Sequence, residues 1–193
     1  MANKGKKTRV QAIRNHGDIK TIRELLKNQP RNLAIFTLGI NSALRASDLL
    51  AIRVSQIRDV HPGGYFQILE KKTGKLREVT LNRSSHNAIW EYMQCRRETS
   101  EDAPLFLSRE GASKRLTVRH LNWLVKSWCA RINLPGRYGS HSLRKTFGYH
   151  QRVRFKTDLP TLMKAFNHST QEQTLTYLGV QAEDVRAAFM NEI

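Results

Sequence analysis

The apolar pattern of this chain leaves the helical period in one stretch, and that stretch constrains what it can fold into. Tyr65-Phe66-Gln67-Ile68-Leu69 and Leu76-Arg77-Glu78-Val79-Thr80-Leu81 alternate with a period of two and read as strands. Lys71-Lys72-Thr73-Gly74-Lys75 between them, with glycine at the turn, makes the pair a hairpin. Elsewhere the apolar residues recur every three or four. Asp18 is expected to cap a helix through Ile22, Leu25 and Leu26 that stops near Asn28-Gln29-Pro30. Pro30 suits the first turn of a second helix with Leu33, Phe36, Ile40 and Leu44 on its apolar stripe, followed by a turn from Ala46 to Ile52. Further helices are predicted over 83–97, 117–132, 142–152, 158–166, 170–178 and 181–190, with a short apolar segment, Leu105-Phe106-Leu107, after the first of them. The fold class is α+β, mainly helical, with a small antiparallel sheet. No repeat or Pro/Gly/Ser linker divides the 193 residues. One domain over 18–193 is expected, preceded by a loose basic arm over 1–17.

Charge narrows the partners. Lys and Arg number 33 against 16 Asp and Glu, a formal net charge of +17. Twelve of those cations and one acid, Glu110, fall within residues 109–156, whereas residues 170–193 carry four acids and one Arg. Such an excess calls for a polyanion, and nucleic acid is the first candidate. No apolar run approaches the ~20 residues needed to cross a bilayer, and no apolar stretch follows the basic amino terminus as in a secretory signal. Cys95 and Cys129 lie 34 residues apart without Cys-x-x-Cys spacing, which argues against a zinc site or a disulfide scaffold. A soluble protein of the reducing cytoplasm is expected.

Four short clusters carry the chemistry. They are Ala43-Leu44-Arg45-Ala46-Ser47-Asp48-Leu49, Lys72-Thr73-Gly74-Lys75, His141-Ser142-Leu143-Arg144 and Phe166-Asn167-His168-Ser169, with Tyr177 nine residues after His168. Singly, each fits a bland explanation: a packed tyrosine, a structural histidine, a solvated helix end. In this order and spacing they resemble the catalytic domain of the tyrosine recombinases, the phage-integrase family, from about residue 19 to 193. Trp90, Trp123 and Trp128 are read as core or interface residues, and His61, His86, His120 and His150 as non-catalytic.

The resemblance implies a site-specific DNA strand-transferase. Attack by a tyrosine hydroxyl on a phosphodiester builds negative charge on phosphorus, which fixed cations and hydrogen-bond donors must stabilise. Arg45 and Arg144 would hold the phosphate oxygens, since a guanidinium is permanently charged and binds two oxygens at once. Asp48 is placed to brace Arg45. Lys72, on the hairpin between Lys71 and Lys75, would protonate the leaving 5′-oxygen. His141 would exchange protons, His168 would donate to a non-bridging oxygen, and Tyr177 would be the nucleophile. The resulting 3′-phosphotyrosyl bond preserves the phosphodiester energy, so no metal, ATP or other cofactor is implied.

Phosphate contacts outside the catalytic set are expected from Lys71, Lys75, Arg115, Arg119, Lys145 and Arg152. Asn167 stands where many relatives have Gly, which is expected to alter that turn slightly. Arg45 comes too early for the amino-terminal domain that closes a clamp around DNA in many members, so the chain reads as a compact recombinase or a fragment. Val185, Ala188 and Phe189 give the 181–190 helix an apolar face, and in the family such a tail joins protomers into a tetramer on double-stranded DNA. Accessory DNA-bending proteins are possible further partners. Two other activities share much of this residue set: type IB topoisomerase-like relaxation, and DNA binding by a catalytically idle regulator.

Overall fold

The computed structural model describes residues 10–98, 100–108 and 114–178, together with 186, 189, 190 and 192. Within them the chain runs α1 (His16–Leu26), α2 (Pro30–Asn41), α3 (Ala46–Leu49), β1 (Tyr65–Leu69), β2 (Leu76–Thr80), α4 (Arg83–Cys95), α5 (Val118–Arg131), α6 (Ser140–Val153), α7 (Leu159–Phe166) and α8 (Gln171–Leu178). The mainly helical α+β reading holds, with one antiparallel sheet of two strands.

α2 is the central helix. Pro30 opens it, and Ala34, Ile35, Phe36 and Leu38 are buried between α4 on one side and α6 on the other. Gly39 permits the approach to α6, because a Cβ there would lie 2.7 Å from Cδ1 of Leu143. From α5, Trp128 closes the same core edge-on against Phe36, with ring centroids 5.9 Å apart. Trp90 and Trp123 are instead largely exposed.

Two boundaries differ from the sequence expectation. The cap of α1 is Asn15, whose Oδ1 accepts the Gly17 N–H at 2.7 Å, and Asp18 sits inside the first turn near the positive end of the helix. Residues 10–15, expected within the loose arm, run along α6. The Gln11 N–H donates to the Arg137 carbonyl at 2.8 Å, and the Ile13 N–H to Thr146 Oγ1 at 2.9 Å. Ile13 is fully buried, a gain of about 2 kcal/mol that helps pin so short a segment. The packed domain therefore includes residues 10–17. Residues 1–9 and most of the 181–190 tail lie outside the described residues.

The hairpin pairs Tyr65 with Thr80, Phe66 with Val79, Gln67 with Glu78, Ile68 with Arg77 and Leu69 with Leu76. Strand alternation therefore puts Phe66, Ile68 and Val79 into the core, and Arg77 shares their face. Gly74, at φ +65°, supplies the left-handed step that closes the turn. A second, smaller apolar cluster forms where α6, α7 and α8 meet: Ala43, Leu162, Phe166 and Leu178, with Phe147, Leu159 and Tyr177 packed against it. Among the described residues, no helix is long and apolar enough to cross a membrane.

Candidate active site

The loop from Ser42 to Arg45, between α2 and α3, is bent by Ala43 at φ +52°. A left-handed alanine costs about 1 kcal/mol, and two guanidiniums hold it in place. Arg144 Nη1 donates to the Ala43 carbonyl at 2.7 Å and Arg77 Nη1 at 3.4 Å, while Arg77 Nη2 reaches the Ser42 carbonyl at 3.1 Å. The bend delivers Arg45 to the start of α3 with its side chain 16% exposed.

Arg144 comes from the second turn of α6 and is almost fully buried. Its Nη2 donates to the Phe166 carbonyl at 2.7 Å and lies 3.2 Å from His168 Nε2. Burial pulls the guanidinium down to about 10, so it stays charged at neutral pH. Its Cζ sits 4.9 Å from the Phe166 ring centroid and 5.3 Å from that of Tyr177.

His168 follows α7 and is stacked on Phe166 at 5.1 Å. Burial first, then the charges of Arg144, Arg45 and Arg77, lower its imidazole to about 4, so it is neutral at pH 7. Arginine has only donors, so Nε2 accepts from Arg144 and Nδ1–H donates to the buried Thr174 Oγ1 at 3.0 Å. Tyr177, on α8, packs 5.1 Å from the His168 ring and 5.6 Å from Phe166, with Lys145 Nζ 5.9 Å from its centroid. Arg45, Lys72, His168 and Tyr177 line one cleft of about 540 Å³ with Thr170, Glu172 and Gln173. His141 stands in the first turn of α6, lowered below its ordinary value by partial burial and by Arg144, Lys145 and Arg45. Four of the six residues singled out from the sequence, Arg45, Lys72, His168 and Tyr177, thus line one cleft, with Arg144 against the Tyr177 ring and His141 exposed at the start of α6.

Two charged residues of the site were not foreseen. Glu70, at the end of β1, is fully buried and meets Arg45 Nη1 at 2.9 Å and Arg77 Nη1 at 3.2 Å. Thr73 Oγ1 and Asn167 Nδ2 donate to its Oε2 at 2.8 and 2.7 Å. Asp48, the brace expected for Arg45, stands off at 3.8 Å and instead accepts the Lys71 N–H at 3.2 Å. Asn167 adopts φ +52°, a conformation Asn tolerates, so it replaces Gly there and gains the bond to Glu70.

Glu70 makes acid stability measurable. Burial would push its carboxyl up, but the hydrogen bonds from Thr73, Asn167 and Arg45 outweigh burial and hold it at about 2. Against an ordinary value of 4.5, the contribution is on the order of 3 kcal/mol. It is complete above pH 4.5 and is lost as pH falls through about 2. Thermal melts taken across that window should show a steep loss for the wild type and a shallower one for Glu70→Gln. Equal slopes would remove Glu70 as the source.

The expected phosphate contacts are only partly gathered. Lys71 and Arg115 line a cleft of about 310 Å³ beside Ser47 and the start of α5. Arg119 is exposed in the first turn of α5, and Lys75 on the hairpin turn. Lys145 lies over Tyr177. Arg152 stands at the far end of α6, about 16 Å along the axis from His141.

A model of the phage integrase family matches residues 15–184. The chain is 33% identical over 181 residues to the probable integrase/recombinase YoeC of Bacillus subtilis (strain 168), covering 93% of this chain and 95% of that protein. It is 31% identical over 161 residues to tyrosine recombinase XerC of Caldanaerobacter subterraneus subsp. tengcongensis, covering 82% of this chain but 44% of that protein. The chain thus spans about half the length of the XerC relatives it matches. Its fold matches the crystal structure of XerA recombinase with a TM-score of 0.77 at 15% identity, over 100% of this chain and 68% of that one. It also matches XerH recombinase bound to a palindromic difH substrate in a post-cleavage complex, with a TM-score of 0.74 at 16% identity, over 98% of this chain and 55% of that one.

Proposed function

The chain belongs to the phage integrase family, and on that premise we propose that it is a site-specific recombinase that cleaves and rejoins double-stranded DNA through a 3′-phosphotyrosyl intermediate, without metal or ATP. The observation that carries this reading is the convergence of Arg45, Lys72, His168 and Tyr177 on one cleft, with Arg144 against the Tyr177 ring.

Tyr177 Oη attacks the scissile phosphorus as the bond to the 5′-oxygen breaks. His141, lowered below its ordinary value and so neutral at pH 7, takes the phenolic proton, and the Lys72 ammonium gives one to the leaving oxygen. Arg45 and Arg144 neutralise the charge that develops on the non-bridging oxygens. His168, neutral with Nε2 accepting from Arg144 and Nδ1–H donating to Thr174 Oγ1, orients the Arg144 guanidinium for the phosphate. The cationic surface around Lys71, Arg115 and Arg119 supports duplex binding through phosphates, with affinity that falls as salt rises. Recombination on paired sites calls for association of protomers, for which the exposed Phe189 and Met190 of the tail offer apolar contacts.

The decisive assay is a DNA site nicked next to the cleavage position. Loss of the short 5′-hydroxyl fragment traps the intermediate, so wild-type protein should give an adduct that survives SDS, with EDTA present or absent. No adduct on any such site would favour the idle regulator, and loss of the adduct on chelation would overturn the metal-independent chemistry.

A further inference from the structure

Besides Arg144 on α6, the groups assigned to the phosphate come from three segments far apart in sequence: the Ser42–Arg45 loop, the hairpin turn that bears Lys72, and the α7–α8 turn that bears His168. One carboxylate touches all three. Glu70 Oε2 meets Arg45 Nη1 at 2.9 Å, accepts from Thr73 of the Lys72 turn at 2.8 Å, and accepts from Asn167, next to His168, at 2.7 Å. Its other oxygen faces Arg77, whose guanidinium is tied to the carbonyls of Ser42, Ala43 and Ala165. Its backbone closes the turn itself, with the Glu70 carbonyl accepting the Gly74 N–H at 2.8 Å and the Glu70 N–H donating to Lys75 at 3.0 Å.

We infer that Glu70 is the positioning residue that locks the Arg45 loop, the Lys72 turn and the His168 turn into a single phosphate cradle. The inference rests on the recombinase reading above. Glu70 touches no substrate. It fixes the direction of the Arg45 guanidinium before DNA arrives, so that no side-chain search is left for the moment of reaction. Arg77 keeps the carboxylate itself from moving and balances its charge. A buried anion among three guanidiniums also keeps the cleft from becoming so cationic that the Arg45 loop is pushed outward.

The test is a mutant cycle on nicked DNA, with single-turnover adduct formation measured separately from binding by fluorescence anisotropy. Glu70→Gln should slow adduct formation about 100-fold, the scale of a misplaced catalytic group, while DNA affinity changes less than about threefold. The double variant with Arg45→Ala should be no slower than Arg45→Ala alone, because both changes remove the same interaction. Multiplying losses, or a wild-type rate from Glu70→Gln, would overturn the inference.

Glu70→Gln leaves buried guanidiniums without their counter-charge and risks unfolding, so Glu70→Asp completes the series. It keeps the charge and the fold but is one methylene too short to reach all three segments. About a tenfold slower rate with unchanged affinity is expected, and a full wild-type rate would show that charge alone suffices and overturn the positioning role. No adduct from wild type would sink the recombinase reading, and this inference with it. An adduct from wild type with multiplying losses would sink the role of Glu70 alone.

Discussion

Tyr177→Phe should bind DNA as wild type does and form no covalent adduct. The substitution removes one oxygen and leaves the ring, which packs against Phe166 at 5.6 Å and His168 at 5.1 Å under the Arg144 guanidinium. These contacts involve the ring, so the fold and the cleft should persist, with DNA affinity within about twofold and the same steep salt dependence. Adduct formation should fall by at least about 10⁴-fold, because no positioned nucleophile remains. The other tyrosines are poor substitutes. Tyr92 is buried, Tyr138 donates to the Pro135 carbonyl at 3.1 Å, Tyr149 lies under Arg14, and Tyr65 points outward from the hairpin. An SDS gel of the variant on nicked DNA reads the result, and an adduct at the wild-type rate would move the nucleophile elsewhere.

The candidate catalytic residues are more legible in the sequence than the residues that support them. His-x-x-Arg on a helix, and His168 with Tyr177 nine residues apart, were legible because their spacing is local. Glu70 and Arg77 are different: their roles depend on segments that meet only in the folded chain. Yet strand parity carried a signal. Phe66, Ile68 and Glu70 alternate onto the inward face of β1, and Arg77 and Val79 onto that of β2. Two opposite charges at inward positions of one hairpin imply a buried pair. The lysines at the hairpin tip stand out as a local cluster, whereas the charges at its base acquire a meaning only through the segments they meet. The cap of α1 is hidden for a related reason. Asn15 and Asp18 both suit a cap, and the choice of Asn15 places Ile19, Ile22 and Leu26 inward while Ile13 remains free to pack beneath α6. No local rule weighs that.

Arg144→Ala should abolish cleavage at a modest cost in stability, and that imbalance identifies it as a functional residue. Structurally, the change leaves the Phe166 carbonyl unsatisfied and the Ala43 carbonyl with only the 3.4 Å bond from Arg77. Each buried orphan costs about 1–3 kcal/mol. Against this, the variant no longer buries a charge. The fall of the guanidinium from 12.5 to about 10 puts that relief on the order of 3 kcal/mol. The two effects oppose each other, so the melting temperature should fall by only a few degrees, plus whatever the vacated volume adds. The chemistry has no such offset. The transition state loses one of its two guanidiniums, and His168 Nε2 loses the donor that orients it, so adduct formation should drop by about 10³-fold or more. Arg144→Lys separates charge from geometry. An ammonium cannot reach the Ala43 carbonyl, the Phe166 carbonyl and a phosphate oxygen together, so its rate should stay near that of the alanine variant. Melts by circular dichroism, with adduct kinetics measured well below the transition, give both quantities. A collapse of the fold with cleavage lost only in proportion would make Arg144 a structural residue, and near-normal cleavage by Arg144→Lys would mean that a charge at this position suffices.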